Sequence, residues 1–490
     1  MTDDKHQGAD IGEQHDVLIL GAGVAGLSAG YELAKAGYQV TVVEKLPFVG
    51  GLATSFQEGP YTYDLGPHRF YTKNPALIAH MEEILPDDLF YPIRKSRIYM
   101  RNRFFDYPLR LGNILKSLPP WTLAKAFSDY LFEQVKGKFK PPQDRNFEEY
   151  IRSRFGKTLY EMFFGMYTAK AWGIPPTEIS ADWASQRISL LNLWDTVVQT
   201  VKSQFFKGKN EPRTYASQFF YPKHGGFGRI CETYRSYIES KGGQVLCGAD
   251  LKSIEYDEKR LTKAVVEHEG KTLVFEPERI VNTIPVTSLP RFFQPAIPVD
   301  VSEAISRLWY KAIVFSYLVI KRPQLTDDHW IYLPEPKLIS HRISEMKNFS
   351  PNCAPPDETI ICMEITTNFE SEIWKMNAEE AAKITAQDLV RIGLIDSPDE
   401  VVTAFIQKRK HAYPMYDLIY KENLERLLEY LDRFENLMTT GRQGLFKYNN
   451  SDHSIEMGLA VAAEIIGADR EGRGIAQDHR TVATEKEYFG

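Results

Sequence analysis

Six residues near the start, Gly21-Ala22-Gly23-Val24-Ala25-Gly26, constrain this chain more than any others. They follow the apolar run Val17-Leu18-Ile19-Leu20 and precede the helix-forming run Leu27-Ser28-Ala29-Gly30-Tyr31-Glu32-Leu33-Ala34. A second apolar run, Val40-Thr41-Val42-Val43, ends in Glu44. Strand, glycine turn, helix, strand and acid in this order predict a dinucleotide-binding βαβ unit. Gly21, Gly23 and Gly26 let the backbone turn tightly and approach a pyrophosphate. Free N–H groups at the helix N-terminus receive that anion, and Glu44 stands where an acid accepts hydrogen bonds from an adenosine ribose.

Lys45-Leu46-Pro47-Phe48-Val49-Gly50-Gly51-Leu52-Ala53 comes next, and Tyr63-Asp64-Leu65-Gly66-Pro67-His68-Arg69-Phe70 soon after. In this order the segments resemble the FAD-binding superfamily of amine oxidases, protoporphyrinogen oxidases and UDP-galactopyranose mutases. The resemblance implies FAD, with Gly50, Gly51 and Leu52 along the phosphates and Gly66, Pro67 and His68 near the flavin ring. It also implies that Leu251 lies by the cofactor. Read without the resemblance, Gly50 and Gly51 could simply shape a turn.

A chain of 490 residues has room for two or three domains or one large interrupted one. A net charge of -6 gives no electrostatic reason to expect nucleic acid. Cys231, Cys247, Cys353 and Cys362 have no C-x-x-C spacing, which argues against a zinc site or a redox dithiol and suits a reducing cytoplasm. The polar, acidic start is no signal peptide and reads as a disordered tail over 1–15. No apolar stretch approaches the ~20 residues of a membrane span. Residues 312–320 are apolar, but their length and β-branching predict a buried strand.

The pattern predicts an α/β fold in which a Rossmann-type FAD-binding domain is assembled from separated segments. The first segment covers 16–75. A helical, aromatic-rich substrate region follows over 76–217. A second FAD segment, 218–290, opens with Gly225-Gly226-Phe227-Gly228 and a helix over 229–241, then strands at 244–247, 251–256, 263–269 and 280–285. A mixed-sheet substrate region covers 291–400, with a helix at 378–392. The rest, 401–490, supplies a third FAD segment and a C-terminal helix. Pro222 interrupts the stretch before Gly225, so no second glycine fingerprint follows a strand. Any NAD(P)H serving as external reductant would bind without its own Rossmann module.

Residues 147–173 contain Phe163-Phe164-Gly165-Met166-Tyr167-Thr168-Ala169-Lys170-Ala171-Trp172-Gly173. This string resembles the substrate domain of the mutases and implies that Phe163, Tyr167 and Trp172 flank a uracil and diphosphate. Spacing alone leaves two readings: rings four apart on one helix face clamp a base or fill a core. Gly441-Arg442-Gln443-Gly444-Leu445-Phe446-Lys447-Tyr448-Asn449-Asn450 resembles the mutase segment beside the flavin. It implies cofactor contacts from Gly441, Arg442, Asn450 and Asp452. Asp452 or Ser454 could cap a helix over 455–466, whose N-terminus could stabilise charge on the flavin. Tyr413 and Tyr416 lie where the superfamily brings tyrosines to substrate, or are half-buried loop residues.

Three positions depart from the mutase pattern: Tyr71 beside the flavin, Lys311 where an arginine would hold the diphosphate, and Asn450 in place of an aspartate. Lysine cannot make the bidentate fork. The resemblance therefore implies one of two enzymes. One is a mutase-like, net non-redox flavoenzyme acting on a UDP-sugar in cell-surface glycan synthesis. The other is an oxidoreductase taking hydride from an amine, polycycle or prenoid. In either, His68, Arg187, Lys311, Tyr413 and Tyr448 are candidates for direct roles, with Phe163, Tyr167, Trp172, Arg187 and Lys311 on the substrate. A flavin-binding protein without turnover is the bland alternative. The partner is a small molecule, no metal is implied, and an oligomer is compatible with the class. Residues 121–140 mix aromatics with Lys136, Lys138 and Lys140, which reads as a solvated helix face or a membrane-surface contact.

Overall fold

The computed structural model describes residues 10–11, 17–107, 119–187 and 218–481. Five parallel strands form the dinucleotide sheet, in the order Gln244–Cys247, Val40–Glu44, Val17–Leu20, Arg279–Asn282, Leu437–Thr439. Three distant stretches of chain supply them, as the α/β reading expects. Val17, Leu18 and Ile19 have no accessible surface, which is why the central strand is an uninterrupted apolar run.

The helix Val24–Lys35 packs against Arg229–Ser240 and Ser451–Glu471. Missing side chains permit this closeness. A Cβ at Gly30 would stand 2.9 Å from Ile238 Cδ1 of Arg229–Ser240. One at Gly458 would stand 2.1 Å from Ser28 Oγ and 2.2 Å from the Ala25 carbonyl oxygen. At that crossing the Ser28 hydroxyl donates to the Ile455 carbonyl at 3.1 Å.

The Gly225 to Gly228 loop binds the protein to itself. The buried Asp64 carboxylate accepts from Ser55 Oγ at 2.5 Å, Tyr221 OH at 2.6 Å and the Phe227 N–H at 3.0 Å. A Cβ at Gly226 would meet Ser55 Oγ at 2.5 Å. Among the described residues the preceding strand, Tyr221–Pro222, pairs only with Leu89–Phe90, antiparallel.

A seven-stranded mixed sheet runs Val401–Pro414, Tyr310–Ile320, Thr359–Thr367, Arg342–Glu345, Trp330–Tyr332, Ser96–Met100, Arg103–Asp106. Two of its parts fall outside the expected 291–400. The hairpin Ser96–Met100 and Arg103–Asp106 comes from the region read as helical; its turn residues Arg101 and Asn102 adopt φ 53 and 58 without glycine, so no turn signal marked it. Val401–Pro414, read as part of a third FAD segment, pairs along Tyr310–Ile320, its basic residues masking a strand. A further sheet, completed by Phe293–Gln294, carries Asp250–Tyr256, Leu261–His268 and Lys271–Phe275. At its edge Asp10–Ile11, expected within a disordered tail, pairs with Leu273 and Val274. The rest of that tail, and 108–118 and 188–217 of the helical region, lie outside the described residues. Among the described residues no helix is long and apolar enough to cross a membrane.

The helix crossing carries a direct test. Gly458→Ala should lower stability by about 1–3 kcal/mol, because the added methyl has no room. Urea unfolding of variant and parent measures this; an unchanged midpoint would show that the crossing relaxes freely.

Candidate active site

A cleft of about 630 Å³ runs from Gly21, Gly23, Glu44 and Leu46 at one end to Phe163, Tyr167 and Trp183 at the other. Cavities of roughly 300–1,000 Å³ are usual for small-molecule sites. The first end fits an adenine dinucleotide. Gly50 has φ +106 and Gly51 φ +60, and a Cβ on Gly51 would stand 3.4 Å from Gly23 Cα, so backbone meets backbone at the cleft floor. Glu44 accepts N–H groups of Ala22 and Leu46, both at 2.9 Å, which fixes its carboxylate and leaves lone pairs for a ribose. Burial raises its pKa, offset by those backbone N–H groups. Arg409 also lines the cleft, with buried Nε and Nη2 that meet no acceptor among the described residues. Arg442 Nε is in the same position. Such donors suit an anionic guest.

Farther along, Pro67, His68, Asn450, Ser451 and Asp452 line the cleft. Burial pushes His68 down to about 4, helped by the charges of Arg442 and Arg342, so its ring is neutral at pH 7. Burial pushes the Asp452 carboxyl up to about 7, which leaves it able to give or take a proton near neutrality. The helix Ser451–Glu471 begins here, its N-cap Asn450 making no side-chain cap bond. In the first turn the Asp452 carboxylate instead accepts the backbone N–H groups of Asp452 itself and His453, which partly counter its burial. Neither Asp452 nor Ser454 is its N-cap; both are already inside its first turns, and Ser454 Oγ donates to Asn449 Oδ1 at 3.1 Å.

The far wall combines rings with guanidinium groups. Phe163 lies in a π-helical turn, Tyr160–Gly165, and Tyr167 on the next helix, Met166–Trp172. Both face the cleft, and Tyr167 meets Tyr332 edge-on at 5.4 Å. Arg442 lies over Tyr448 at 4.6 Å and Tyr413 at 5.1 Å, and donates to the carbonyls of Asn449 and Ala412, each at 2.8 Å. It thereby ties together the two segments that carry these tyrosines. Arg342 forms a bidentate pair with fully buried Glu364, both bonds 2.6 Å. Arg69 stacks over Trp330 at 4.7 Å. Among the described residues, no group of three or more His, Cys, Asp or Glu is placed to hold a metal ion.

The profile of the family described as "Flavin containing amine oxidoreductase" matches residues 24–446. The chain belongs to the flavin-containing amine oxidoreductase family. It is an FAD-dependent enzyme of that family. A "Probable UDP-galactopyranose mutase" of Klebsiella pneumoniae is 27% identical over 174 residues, which are 34% of this chain and 43% of that protein. The match thus spans under half of that relative. "Protoporphyrinogen oxidase 2, chloroplastic/mitochondrial" of Arabidopsis thaliana is 20% identical, covering 92% of this chain and 93% of its own. A crystal structure of reduced UDP-galactopyranose mutase superposes with a TM-score of 0.81 at 21% identity, covering 97% of this chain and all of that one.

Within this amine oxidoreductase fold several expected contacts fall elsewhere. Trp172 is 5% exposed and does not line the cleft; it packs edge-on against Trp183, Tyr413 and Tyr448 at 5.2, 5.8 and 5.6 Å. It is core, and it supports the tyrosines that do face the cleft. Lys311 is buried behind the wall, its Nζ donating to Asn368 Oδ1 at 2.8 Å. Arg342 stands in the cleft instead. Leu251, on the strand Asp250–Tyr256, packs into the core and does not line the cleft. Gly26 and Gly66 act through packing rather than contact: a Cβ on Gly66 would stand 3.1 Å from the Glu364 carboxylate. Arg187 ends the helix Ala181–Arg187, and its side chain lies outside the described residues.

Core and lining roles separate by mutation. Trp172→Ala should destabilise the protein by about 3–5 kcal/mol. Phe163→Ala, at a half-buried lining position, should cost clearly less while weakening ligand binding. Calorimetry distinguishes them; equal melting temperatures for the two variants would contradict the assignment.

Proposed function

We propose that this FAD enzyme acts on a nucleotide-linked sugar in the manner of a UDP-galactopyranose mutase. The observation that carries this reading is the charge of the wall: Arg69, Arg342 and Arg442 line the part of the cleft beside Tyr413, Tyr448 and Tyr167. Glu364 compensates Arg342, and Asp452, pushed up to about 7 by burial, compensates little. Such a wall repels an ammonium substrate and attracts a diphosphate.

The fingerprint turn, Gly50, Gly51 and Glu44 would hold the dinucleotide, with Arg409 and Arg442 offering donors to its anionic parts. When bound, the flavin supplies either a nucleophilic nitrogen or a hydride acceptor. Arg342, always charged and held in one orientation by Glu364, would fix the substrate diphosphate with the rest of its guanidinium. Phe163 and Tyr167 would stack on the base. Neutral His68 would orient groups by hydrogen bonding without adding charge. Asp452 is the group whose protonation changes near pH 7, so proton movement at this end of the cleft falls to it.

Titration of UDP-galactose into the holoenzyme, followed by flavin absorbance, tests the reading. Saturable perturbation is expected, weakened about 30-fold or more in Arg342→Lys, which loses the fork. If no UDP-sugar binds and an apolar or amine substrate bleaches the oxidised flavin, the oxidoreductase reading replaces this one.

A further inference from the structure

The helix Pro120–Phe139 is apolar on two sides, and among the described residues only one packs against the body. Its inner side is fixed to the body. Leu123 packs on the cluster of Ile98, Met100, Phe105 and Met162. Asp129 Oδ2 accepts the N–H and hydroxyl of Thr158 at 3.0 and 2.6 Å. A Cβ at Gly156 would stand 2.8 Å from the Tyr130 nitrogen, so the neighbouring turn is pressed against the helix.

The outer side presents Trp121, Phe127, Leu131, Phe132, Val135 and Phe139, exposed by 75, 53, 43, 65, 54 and 86%. At the helical step these six fall within an arc of roughly 140°. Isolated exposed apolar residues need no explanation, but a contiguous strip of four aromatics and two aliphatics does. Lys125 and Lys136 border the strip, and Lys138 and Lys140 continue it at the C-terminal end. The helix's carboxylates, Asp129 and Glu133, lie toward the inner side, where Glu133 pairs with Lys136 at 3.1 Å. In a chain of net charge -6, this face is locally basic.

We propose that this face seats the protein on an anionic bilayer surface. Aromatic and aliphatic side chains enter the boundary between headgroups and acyl chains, and the lysines reach anionic headgroups. The charge pattern selects a bilayer over a second copy of the chain. A two-fold self-contact would set the same lysine-bordered strip against itself, whereas anionic headgroups neutralise it. Leu123 shares its cluster with Met162 and Phe163, which line the cleft, so a seated helix stands one layer of side chains from the aromatic wall. The inference stands independently of which substrate the cleft takes.

Flotation of the holoenzyme with phosphatidylcholine vesicles, with and without phosphatidylglycerol, tests it. Binding should require phosphatidylglycerol and weaken about fivefold for each of Lys125→Gln and Lys138→Gln. The double variant F132E/F139E should lose about tenfold or more in partitioning. Flavin content and melting temperature should hold, since both side chains are exposed. Absence of wild-type binding to the anionic vesicles would overturn the proposal. So would a concentration-dependent dimer that F132E/F139E abolishes in a protein that ignores vesicles.

Discussion

A guanidinium pinned by a carboxylate with no access to water organises the chemistry of this protein. Arg342 and Glu364 face each other in register on adjacent strands of the mixed sheet, Arg342–Glu345 and Thr359–Thr367. A pair of this kind is a poor investment in stability, since desolvation offsets the attraction. Its effect is geometric. Glu364 holds the fork in one plane, and the Gly66 turn passes so close above the carboxylate that a Cβ would meet it at 3.1 Å. The segment Gly66-Pro67-His68 reaches the cleft only because glycine stands at that crossing. The far wall of the cleft and the Gly66 turn are therefore built on the same buried charge.

Burial then sets the protonation of the groups around it. His68 is held neutral and Asp452 is brought near neutrality, both chiefly by desolvation. The wall keeps its positive character because its cations are guanidinium groups, which burial cannot discharge at neutral pH. Behind the wall, Trp172 braces Tyr413 and Tyr448, and Arg442 joins their backbones. The lining is rigid because its second layer is packed aromatic core.

The dinucleotide half was legible because its signal is local: strand, glycine turn, helix and acid lie between Val17 and Glu44. Each step has a one-dimensional signature in apolar runs and glycine positions. The substrate half was legible only in part. Phe163 and Tyr167 line the cleft, but helical spacing could not tell that Trp172 turns into the core. Arg342 escaped notice because its partner lies 22 residues away and reaches it through strand register, which leaves no local trace. The resemblance points instead to Lys311, whose side chain bonds Asn368 behind the wall. Arg409 was hidden likewise, in a basic stretch that does not read as a strand although it pairs along the apolar Tyr310–Ile320.

On the proposed reading, the positively charged, aromatic cleft beside FAD rearranges a nucleotide sugar without net oxidation. Anaerobic incubation of dithionite-reduced enzyme with UDP-galactopyranose tests it most directly, with products separated by chromatography and the flavin spectrum recorded before and after. The account predicts conversion to the other ring form with the flavin still reduced, and no conversion by oxidised enzyme. Unchanged UDP-galactopyranose, together with hydrogen peroxide formed when oxidised enzyme meets an apolar or amine substrate in air, would contradict it.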